Sequence, residues 1–559
     1  MIKRSVFSTA IWCLFVVIPQ AFAALGPGQA GIATAHPLAT KAGYEILEAG
    51  GNAFDAAVAI SAALGVVEPY ASGLGGGAFW LLHVADTQTD IFVDAREVAP
   101  AAATADMYLD SDGQPIDRAS FNGPLASGIP GQAAGLVHMA EQYGRLPIAT
   151  SLAPAIRYAE EGVPAHRRML LGIRFRRNTA DLWPAFGEIY YPDGETLQEG
   201  EILRQPDLAD TLRRLATDGF EGFYQGETAR LLLQGVQEAG GIWASDDLAH
   251  YRVIERDPIA FFYNGVRILS APPPSSGGVA LANILNILSG YDLSAMDSAS
   301  RKHLIIEAMR RAYRDRAEFL GDTDFVEVPV DRLTHPFYAA GQRMSIRVDK
   351  ATPSDALAGL QVPVDKGTET THFSVLDKDG NRVAGTMSIN TWYGSAFMAP
   401  GTGLVLNNEM DDFAIKPGLP NYFDLQGFSA NAIAPGKRML SSMSPTFLES
   451  GRGIAILGTP GGSRIITMVL LAAMAWMDGA DAQEMVDLKR YHHQFTPDQV
   501  DYEDGAFSME EAKALEDRGH KLNPARRAYG NMSVVTWDFA SGKVEAVSDP
   551  RGLGEGRVY

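Results

Sequence analysis

The amino-acid sequence predicts a layered α+β fold. Apolar residues at helical spacing dominate the first half, alternating segments bounded by turn residues dominate the second, and the two kinds of element occupy separate blocks. Helices and sheets with one apolar face each bury those faces against one another in layers. The chain has 559 residues, of which 46% are hydrophobic, so it can bury a large core and exceeds one average domain of about 100–200 residues.

The predicted helices begin with residues 37–49, which Gly50-Gly51 ends. Asn52 is expected to cap the next helix, whose residues are apolar on nearly every side and should therefore be buried all round. A glycine cluster at 73–77 precedes a predicted strand at 78–84. Further helices are predicted at 156–161, 279–288, 303–319 and 468–477.

The hairpin predicted in the second half has the greatest consequence for function. Residues 370–376 and 382–390 flank a turn with Asp-Gly at its tip, a pair that favours tight antiparallel connections. The centre of this turn places Thr370 opposite residue 388 or 389. We therefore expect Ser388 and Asn390 to lie beside Thr370 across the strands.

Two more hairpins and one linker complete the outline. The hairpins are predicted to join 446–448 to 454–456 and 534–539 to 543–547. Residues 350–369 are rich in Thr, Pro, Ser, Asp and Gly, which indicates an exposed linker directly before Thr370. We therefore expect Thr370, the first residue of the following strand, to be accessible and not buried in the middle of a sheet.

Charge and cysteine content exclude several classes of function. There are 47 Lys and Arg against 67 Asp and Glu, a net charge of −20, which disfavours binding to nucleic acids and anionic membranes. The single cysteine, Cys13, excludes a disulfide framework and any thiolate metal cluster. This composition favours a soluble protein that acts on small molecules.

Residues 1–23 have the pattern of a cleavable secretory signal peptide. Lys3 and Arg4 precede an apolar run at 10–18, and Ala21-Phe22-Ala23 has the form of a cleavage site. The run is too short to cross a bilayer, which needs about 20 residues. We expect a periplasmic or secreted protein that has no membrane anchor after cleavage.

Thr370 can be more than a residue of a strand, because its hydroxyl can act as a nucleophile. If its hydroxyl attacked the carbonyl of Glu369, an ester would form, and hydrolysis of that ester would leave Thr370 as a new N-terminus. The α-amino group of such a residue, with an ordinary pKa of about 7.7–8.0, can act as base for its own hydroxyl.

Four specific motifs follow one another in the second half of the chain. They are Thr370-Thr371-His372, Asn407-Asn408-Glu409-Met410-Asp411-Asp412-Phe413, Ser441-Ser442-Met443-Ser444-Pro445 and Gly458-Thr459-Pro460-Gly461-Gly462-Ser463-Arg464. Taken in this order, they resemble the gamma-glutamyltranspeptidase (gamma-glutamyltransferase) family of N-terminal nucleophile hydrolases. The resemblance covers almost the whole chain after residue 23 and implies a four-layer αββα sandwich. It also implies one precursor that is cut into a large subunit, 24–369, and a small subunit, 370–559.

The resemblance implies an acyl-transfer mechanism. Thr370 would cut the precursor after Glu369 and then accept a γ-glutamyl group as an ester, which water, an amino acid or a dipeptide would release. Ser388, where members often have Thr, would keep the hydroxyl that hydrogen-bonds the nucleophile. Gly461 and Gly462 lie in a tight turn before the apolar helix, where backbone N–H groups suit a developing oxyanion.

The resemblance also assigns the residues that hold the substrate. Arg96 would bind the α-carboxylate, with Ser441 and Ser442 adding hydroxyl donors. A buried ammonium needs acceptors, since unpaired burial is costly. Those acceptors would be Asn390, Glu409 and Asp412.

The segment between Phe413 and Lys437 resembles the lid over the substrate. Phe423 aligns with a position that is often Tyr in bacterial members, and Tyr422 beside it would restore that contact after a one-residue shift. His372 is left out of the catalytic set, and neither His492-His493 nor Glu409 with Asp411 and Asp412 has the spacing of a usual metal site. No cofactor and no metal is expected.

Two other functions are alternatives to γ-glutamyl transfer. A cephalosporin acylase of the same superfamily removes a glutaryl-type group, which lacks the ammonium that Asn390, Glu409 and Asp412 would bind. A non-catalytic exported binding protein would keep the fold without the chemistry, and Thr370 directly after a linker argues against it. The expected partners are glutathione-like donors and amino-acid or peptide acceptors.

Overall fold

The computed structural model describes residues 26–180, 182–357, 370–416 and 418–559. The predicted signal peptide at 1–23, Glu369 and most of the predicted linker lie outside the described residues. No helix among the described residues is long and apolar enough to cross a membrane.

The strands of the described residues follow the chain in this order. They are β1 (Gly31–Thr34), β2 (Gly77–Val84), β3 (Thr89–Ala95), β4 (Val163–Pro164), β5 (Ile202–Leu203), β6 (Ile254–Arg256), β7 (Ile259–Tyr263), β8 (Val266–Ser270), β9 (Thr371–Leu376), β10 (Arg382–Ser388), β11 (Thr446–Ser450), β12 (Gly453–Gly458), β13 (Tyr491–His492), β14 (Val500–Tyr502), β15 (Leu522–Pro524), β16 (Ser533–Asp538), β17 (Val544–Ser548) and β18 (Glu555–Val558).

The helices are concentrated in the first half of the chain, as predicted. They are α1 (Pro37–Glu48), α2 (Ala53–Val67), α3 (Gln132–Gln142), α4 (Ile148–Glu161), α5 (Arg167–Phe175), α6 (Arg177–Ala180), α7 (Pro184–Tyr190), α8 (Pro206–Tyr224), α9 (Glu227–Glu238), α10 (Ser245–Ala249), α11 (Gly277–Leu288), α12 (Ser298–Phe319), α13 (Val330–Leu333), α14 (Pro336–Arg343), α15 (Ile465–Met477), α16 (Ala482–Asp487) and α17 (Met509–Asp517).

Two large sheets form the centre of the molecule. The first has seven strands in the order β18-β1-β9-β10-β2-β3-β6, and the second has six in the order β17-β16-β12-β11-β8-β7. Each sheet takes strands from before residue 369 and from after it, so both segments of the chain complete both sheets. Cleavage at this position would thus leave two chains that share each sheet.

Side-chain alternation in β2 shows how the layers stack. Ala78, Trp80 and Leu82 belong to the core between the first sheet and its helices, which include α2. Phe79 and Leu81 face the other way and belong to the core that the second sheet shares with α11, α12 and α15. The order helix, sheet, sheet, helix confirms the predicted layered α+β fold.

Most predicted elements are confirmed, with shifted ends. The Asn52 side chain accepts hydrogen bonds at the start of α2, and that helix is buried on nearly all sides, as its composition predicts. The predicted helix at 156–161 is the end of the longer α4, which accommodates Pro154 in its interior. The hairpins β11–β12 and β16–β17 are formed as expected.

The hairpin β9–β10 has the predicted register. Leu376 pairs with Arg382 and Thr371 with Met387, which places Thr370 opposite Ser388. Of the predicted exposed linker at 350–369, the described residues 350–357 are partly exposed, but Ser354 is buried. The Ser354 hydroxyl accepts a hydrogen bond from Arg310, and its N–H donates to Asp498.

Candidate active site

One cleft gathers nearly all the predicted functional residues. It lies beside the start of β9 and the end of β10. Of the ten residues predicted to act in catalysis or substrate binding, only Gly461 is outside its lining, and Gly461 directly precedes Gly462, which is in it. The lining residues are Arg96, Arg316, Thr370, Ser388, Asn390, Glu409, Asp412, Phe423, Leu425, Ser441, Ser442, Met443, Gly462, Ser463 and Ile465.

The hydroxyls of Thr370 and Ser388 face each other across the hairpin. Their oxygens are 3.4 Å apart, and Thr370 is 6% exposed, so the predicted nucleophile is buried but borders the cleft. The Ser388 oxygen accepts the Asn390 N–H at 2.7 Å. The two hydroxyls are therefore within hydrogen-bond distance of each other, and either oxygen can be the donor.

The turn after β10 presents the Asn390 side chain. Asn390 has φ +76°, a left-handed conformation that asparagine tolerates better than most residues. Its Nδ2 donates to the Asn408 carbonyl at 2.9 Å. The side-chain Oδ1 therefore is the acceptor that remains for a cation in the cleft.

Arg96 is the centre of a buried charge network. Its Nη1 lies 2.7 Å from Glu409 Oε2 and its Nη2 lies 2.7 Å from Asp412 Oδ2, while Nε donates to the Met439 carbonyl. Burial raises the pKa of Glu409 well above its usual range, and Arg96 opposes this. Glu409 Oε1 has no hydrogen-bond partner among the described residues, so an ammonium group would find an acceptor there.

Glu97 adds a further carboxyl group beside Arg96. Glu97 Oε2 lies 3.7 Å from Arg96 Nη1, and neither carboxyl oxygen of Glu97 has a hydrogen-bond partner among the described residues. Burial raises the pKa of Glu97 to about 7, although the positive charge of Arg96 lowers it. Glu97 is thus neutral in mildly acidic solution and charged above neutrality.

We expect the KM for a donor that carries a carboxylate to rise with pH, because Glu97 becomes negatively charged. Ionisation above about pH 7 places a new negative charge beside Arg96, which competes with the substrate carboxylate. Between pH 6 and 8.5 the KM of the wild type should rise about threefold or more relative to that of Glu97→Gln. Steady-state kinetics of both proteins across this range test it, and parallel KM profiles would contradict it.

The predicted lid is hydrogen-bonded to two neighbouring carboxylates, those of Asp411 and Asp412. Asp411 accepts hydrogen bonds from the Ser120 hydroxyl at 2.7 Å and the Tyr422 N–H at 2.9 Å. Burial raises the pKa of Asp411 to about 6. Asn421 donates to Asp412 Oδ1 at 3.0 Å, so the lid and the charge network share Asp412.

Phe423, and not Tyr422, is the lid residue that lines the cleft. The Phe423 carbonyl accepts a hydrogen bond from Gln494, and a Cβ on Gly462 would lie 2.6 Å from the Phe423 ring. Tyr422 instead packs on Phe121 with ring centroids 4.8 Å apart. A one-residue shift therefore does not restore a tyrosine at this position.

The turn before α15 supplies the expected N–H donors. Gly462 has φ +55° and Gly461 φ +148°, conformations that favour glycine. Among the described residues neither N–H has an acceptor. The turn leads through Ser463 into α15, so these amides lie at the helix entrance, where they can stabilise an anion.

Arg316 is the residue that sequence reasoning missed. It donates to Ser276 Oγ at 3.0 Å and to Ser442 Oγ at 3.2 Å, and among the described residues no carboxylate lies within ion-pair distance. Burial lowers its pKa to about 10, so it stays charged near neutrality. The sequence did contain one signal for this residue. Arg316 lies one helical turn after the buried Ala312, on the apolar face of α12, where a cation is rare.

Arg316→Gln should weaken binding of a donor that carries a carboxylate. A cation with neutral hydrogen-bond partners facing the cleft can hold an anion, and such charged hydrogen bonds are worth about 1.5–3 kcal/mol. We expect a rise in KM of about 10-fold or more. The matched control is Arg314→Gln, since Arg314 lies on the same helix and pairs with Asp315 and Glu318; equal KM changes in both variants would contradict this role.

The histidines near these motifs have structural partners. His372 contacts Thr386 and Ser374 through its two ring nitrogens, and burial lowers its pKa to about 3. His492 contacts Thr467 and Gln494. These contacts occupy both ring nitrogens of each histidine.

A different trio has ligand atoms close together. In the described part of the chain, His83, Asp90 and Glu449 form the one group of three such residues with atoms within 4.8 Å of one another. Arg267 bridges Asp90 and Glu449, and Arg382 also pairs with Glu449. These cations neutralise the carboxylates, so the trio is an ion-pair cluster between the two sheets.

Comparison with known proteins identifies the family. The sequence model described as gamma-glutamyltranspeptidase matches residues 39–559. The chain belongs to the gamma-glutamyltranspeptidase family. Membership makes it an enzyme that transfers or hydrolyses γ-glutamyl groups. It is 43% identical over 530 residues to the glutathione hydrolase proenzyme of Pseudomonas sp. strain A14, covering 93% of this chain and 91% of that protein.

Solved structures confirm the N-terminal nucleophile hydrolase sandwich. A cephalosporin acylase from Bacillus halodurans matches 95% of this chain and 96% of its own, with a TM-score of 0.83 and 30% identity. Gamma-glutamyltranspeptidase from Helicobacter pylori has 41% identity and a TM-score of 0.56, covering 57% of this chain and 92% of its own. The gamma-glutamyltranspeptidase family and the acylase thus share one architecture.

Proposed function

We propose that this chain is an exported precursor that cuts its own Glu369–Thr370 bond and then uses Thr370 to take γ-glutamyl groups from glutathione or related amides. Water would accept the group in hydrolysis, and an amino acid or dipeptide would accept it in transfer. The large subunit would be residues 24–369 and the small subunit residues 370–559. Residues 1–23 would direct export to the periplasm or the exterior.

One observation carries this proposal. The hydroxyl of Thr370 lies 3.4 Å from that of Ser388 in the same cleft as the Arg96, Glu409 and Asp412 network. A nucleophile and a site for a zwitterion are thus brought together by segments distant in sequence. An amino acid linked through its side-chain carbonyl presents a carboxylate and an ammonium at one end and an acyl carbon at the other.

Self-cleavage would begin with attack of Thr370 Oγ1 on the carbonyl carbon of Glu369. The peptide C–N bond breaks, the hydroxyl proton moves to the departing nitrogen, and an ester joins Glu369 to Thr370. Water then hydrolyses the ester. The products are a new C-terminus at Glu369 and a free α-amino group at Thr370, which can act as base in later turnovers.

Transfer would repeat the same chemistry on the substrate. The α-amino group of Thr370 takes the hydroxyl proton as Oγ1 attacks the γ-carbonyl, and the N–H groups of Gly461 and Gly462 stabilise the oxyanion. The amine leaves with the proton, and the γ-glutamyl group stays on Thr370 as an ester. Water or an amine attacks that ester and regenerates the hydroxyl.

Recognition of the substrate's α-carbon would use both signs of charge in the cleft. Arg96, Arg316 and the hydroxyls of Ser441 and Ser442 suit the carboxylate, because guanidinium groups bind this planar anion well. The ammonium group suits the oxygen acceptors of Asn390, Glu409 and Asp412, which line the same cleft. A ligand with both charges would satisfy the two halves of the network together.

The relatives support the proposed processing and substrate. The Pseudomonas protein is named a proenzyme and a glutathione hydrolase. The solved Helicobacter pylori chain covers 57% of this chain, as a separate subunit would. Export and the choice of acceptor rest on the sequence alone.

Three p-nitroanilides separate this function from that of a glutaryl acylase. The γ-glutamyl compound carries both charges, the glutaryl compound carries the carboxylate alone, and the 4-aminobutanoyl compound carries the ammonium alone. The wild type should cleave the γ-glutamyl compound about 10-fold or more faster than either of the others, measured as kcat/KM. Glycylglycine should accelerate release by accepting the acyl group.

Asp412→Asn supplies the matched control for this comparison. It removes a negative charge that the substrate ammonium needs. It should therefore narrow the difference in kcat/KM between the γ-glutamyl and glutaryl compounds. A wild type that prefers the glutaryl compound would identify an acylase and overturn the proposed function.

A further inference from the structure

A buried carboxylate lies behind the strand that carries the nucleophile. Glu68 follows the last residue of α2 and is 3% exposed. Its Oε1 accepts a hydrogen bond from the Tyr70 hydroxyl at 2.6 Å, and its Oε2 accepts one from the Thr371 hydroxyl at 2.8 Å. Among the described residues no Lys, Arg or His forms an ion pair with it.

Thr371 joins this carboxylate to the reactive residue. It is the first residue of β9 and directly follows Thr370. The next residues on its face, Phe373 and Val375, belong to the core between the sheet and the helices. Successive side chains of a strand point to opposite faces, so Thr371 faces the helical layer while Thr370 borders the cleft.

Helix α2 holds β9 at both of its ends. At the turn end, Asp377 Oδ2 accepts the N–H of Ala53, the first residue of α2, at 2.9 Å. At the nucleophile end, Glu68 holds Thr371. The helix is buried on nearly all sides and is therefore a rigid reference for the strand.

Cleavage makes the second of these contacts important. Once the bond before Thr370 is cut, the nucleophile is the first residue of a free chain, and chain ends lose order unless they are tied down. A reacting group must be held close to its attack position, and small displacements cost rate. The Glu68–Thr371 hydrogen bond adds a side-chain contact, one residue away, to the backbone pairing of Thr371 with Met387.

We propose that Glu68 is a positioning residue for Thr370, acting through the Thr371 hydroxyl that its carboxylate holds. The proposal rests on the proposed role of Thr370 as nucleophile. Glu68 is not among the residues that line the cleft. Its loss should therefore lower kcat and slow self-cleavage while leaving the KM for the donor unchanged.

The test is a double-mutant cycle of Glu68→Met and Thr371→Val. Thr371→Val keeps the shape and the branched side chain, and Glu68→Met keeps the length without charge. Each single variant should lower kcat of the cleaved enzyme about 10-fold or more, since hydrogen bonds to charged groups are strong. The double variant should lose no more than the worse single, because both changes remove one contact.

Two controls separate positioning from general stability. Tyr70→Phe removes the other hydroxyl from the same carboxylate without touching β9 and should keep kcat near that of the wild type. Thr371→Ser keeps a hydroxyl and should restore most of the activity that Thr371→Val loses. Thermal unfolding of every variant shows whether it is folded, and the rate of self-cleavage on a gel gives a second readout.

Four results would overturn the proposal. The first three are full kcat in Thr371→Val, an equal loss in Tyr70→Phe, and additive losses in the double variant. The fourth is a rise in KM at unchanged kcat, since it would place Glu68 in binding. In all these cases a wild type that is cut and active would leave the proposed function standing, whereas an uncut but active wild type would remove the premise itself.

Discussion

Thr370→Ala should leave the precursor as one uncut chain without γ-glutamyl transfer activity. The change removes Oγ1, which is both the atom that would attack Glu369 and the atom that would carry the acyl group. No hydroxyl then remains at that position, and Ser388 lies on the neighbouring strand opposite residue 370, so it does not directly follow Glu369 in the chain. Loss of a nucleophile in such enzymes costs about 10⁶-fold in kcat.

A denaturing gel and mass spectrometry measure this outcome. The wild type should give two fragments that correspond to residues 24–369 and 370–559, and the second should begin with Thr370. Thr370→Ser keeps a hydroxyl and should still be cut, though more slowly, which makes it the matched control. A wild type that stays uncut and is fully active would contradict the mechanism.

Arg96→Met should have the second largest effect on activity. Arg96 pairs with Glu409 and Asp412 at 2.7 Å each, so its loss removes the carboxylate site and leaves two carboxylates without their cation. The substrate carboxylate would also lose its charged hydrogen bonds to the guanidinium group, which are worth about 1.5–3 kcal/mol each. We expect kcat/KM for the γ-glutamyl anilide to fall about 100-fold or more.

The substrate series shows whether the loss is specific. The 4-aminobutanoyl compound has no carboxylate, so Arg96→Met should affect it much less than the γ-glutamyl compound. Arg438→Met is the control for removing a buried arginine, because Arg438 pairs with Asp94 and is not part of the cleft lining. Equal losses on both substrates, or equal losses in both variants, would contradict the role of Arg96.

Local sequence patterns were sufficient for several of the elements and for the register of one hairpin. Asn52 and the apolar run after it predict α2, because capping and burial depend on neighbours in the chain. The Asp-Gly turn predicts that Thr370 lies opposite Ser388, because a tight turn sets the pairing of both strands. The roles in the cleft came from the family resemblance, and no sequence period points to them.

Other features depend on contacts between distant segments. Arg316 reaches the cleft from α12, and the partner that reveals it, Ser442, is far away in the chain. Glu68 meets Thr371 only when α2 packs on β9. The burial of Ser354 follows from Arg310 and Asp498, which composition alone does not indicate.

The sequence by itself determined the layered α+β class, the strand predicted at 370–376 and the hairpin that sets Ser388 beside Thr370. These depend on periodicity and turn chemistry, which act over a few residues. The tertiary structure decided which charges meet: among the described residues Arg96 pairs with the carboxylates of Glu409 and Asp412 and Arg316 with none. Charge pairing depends on distance in space and on burial, and neither can be read from position in the chain.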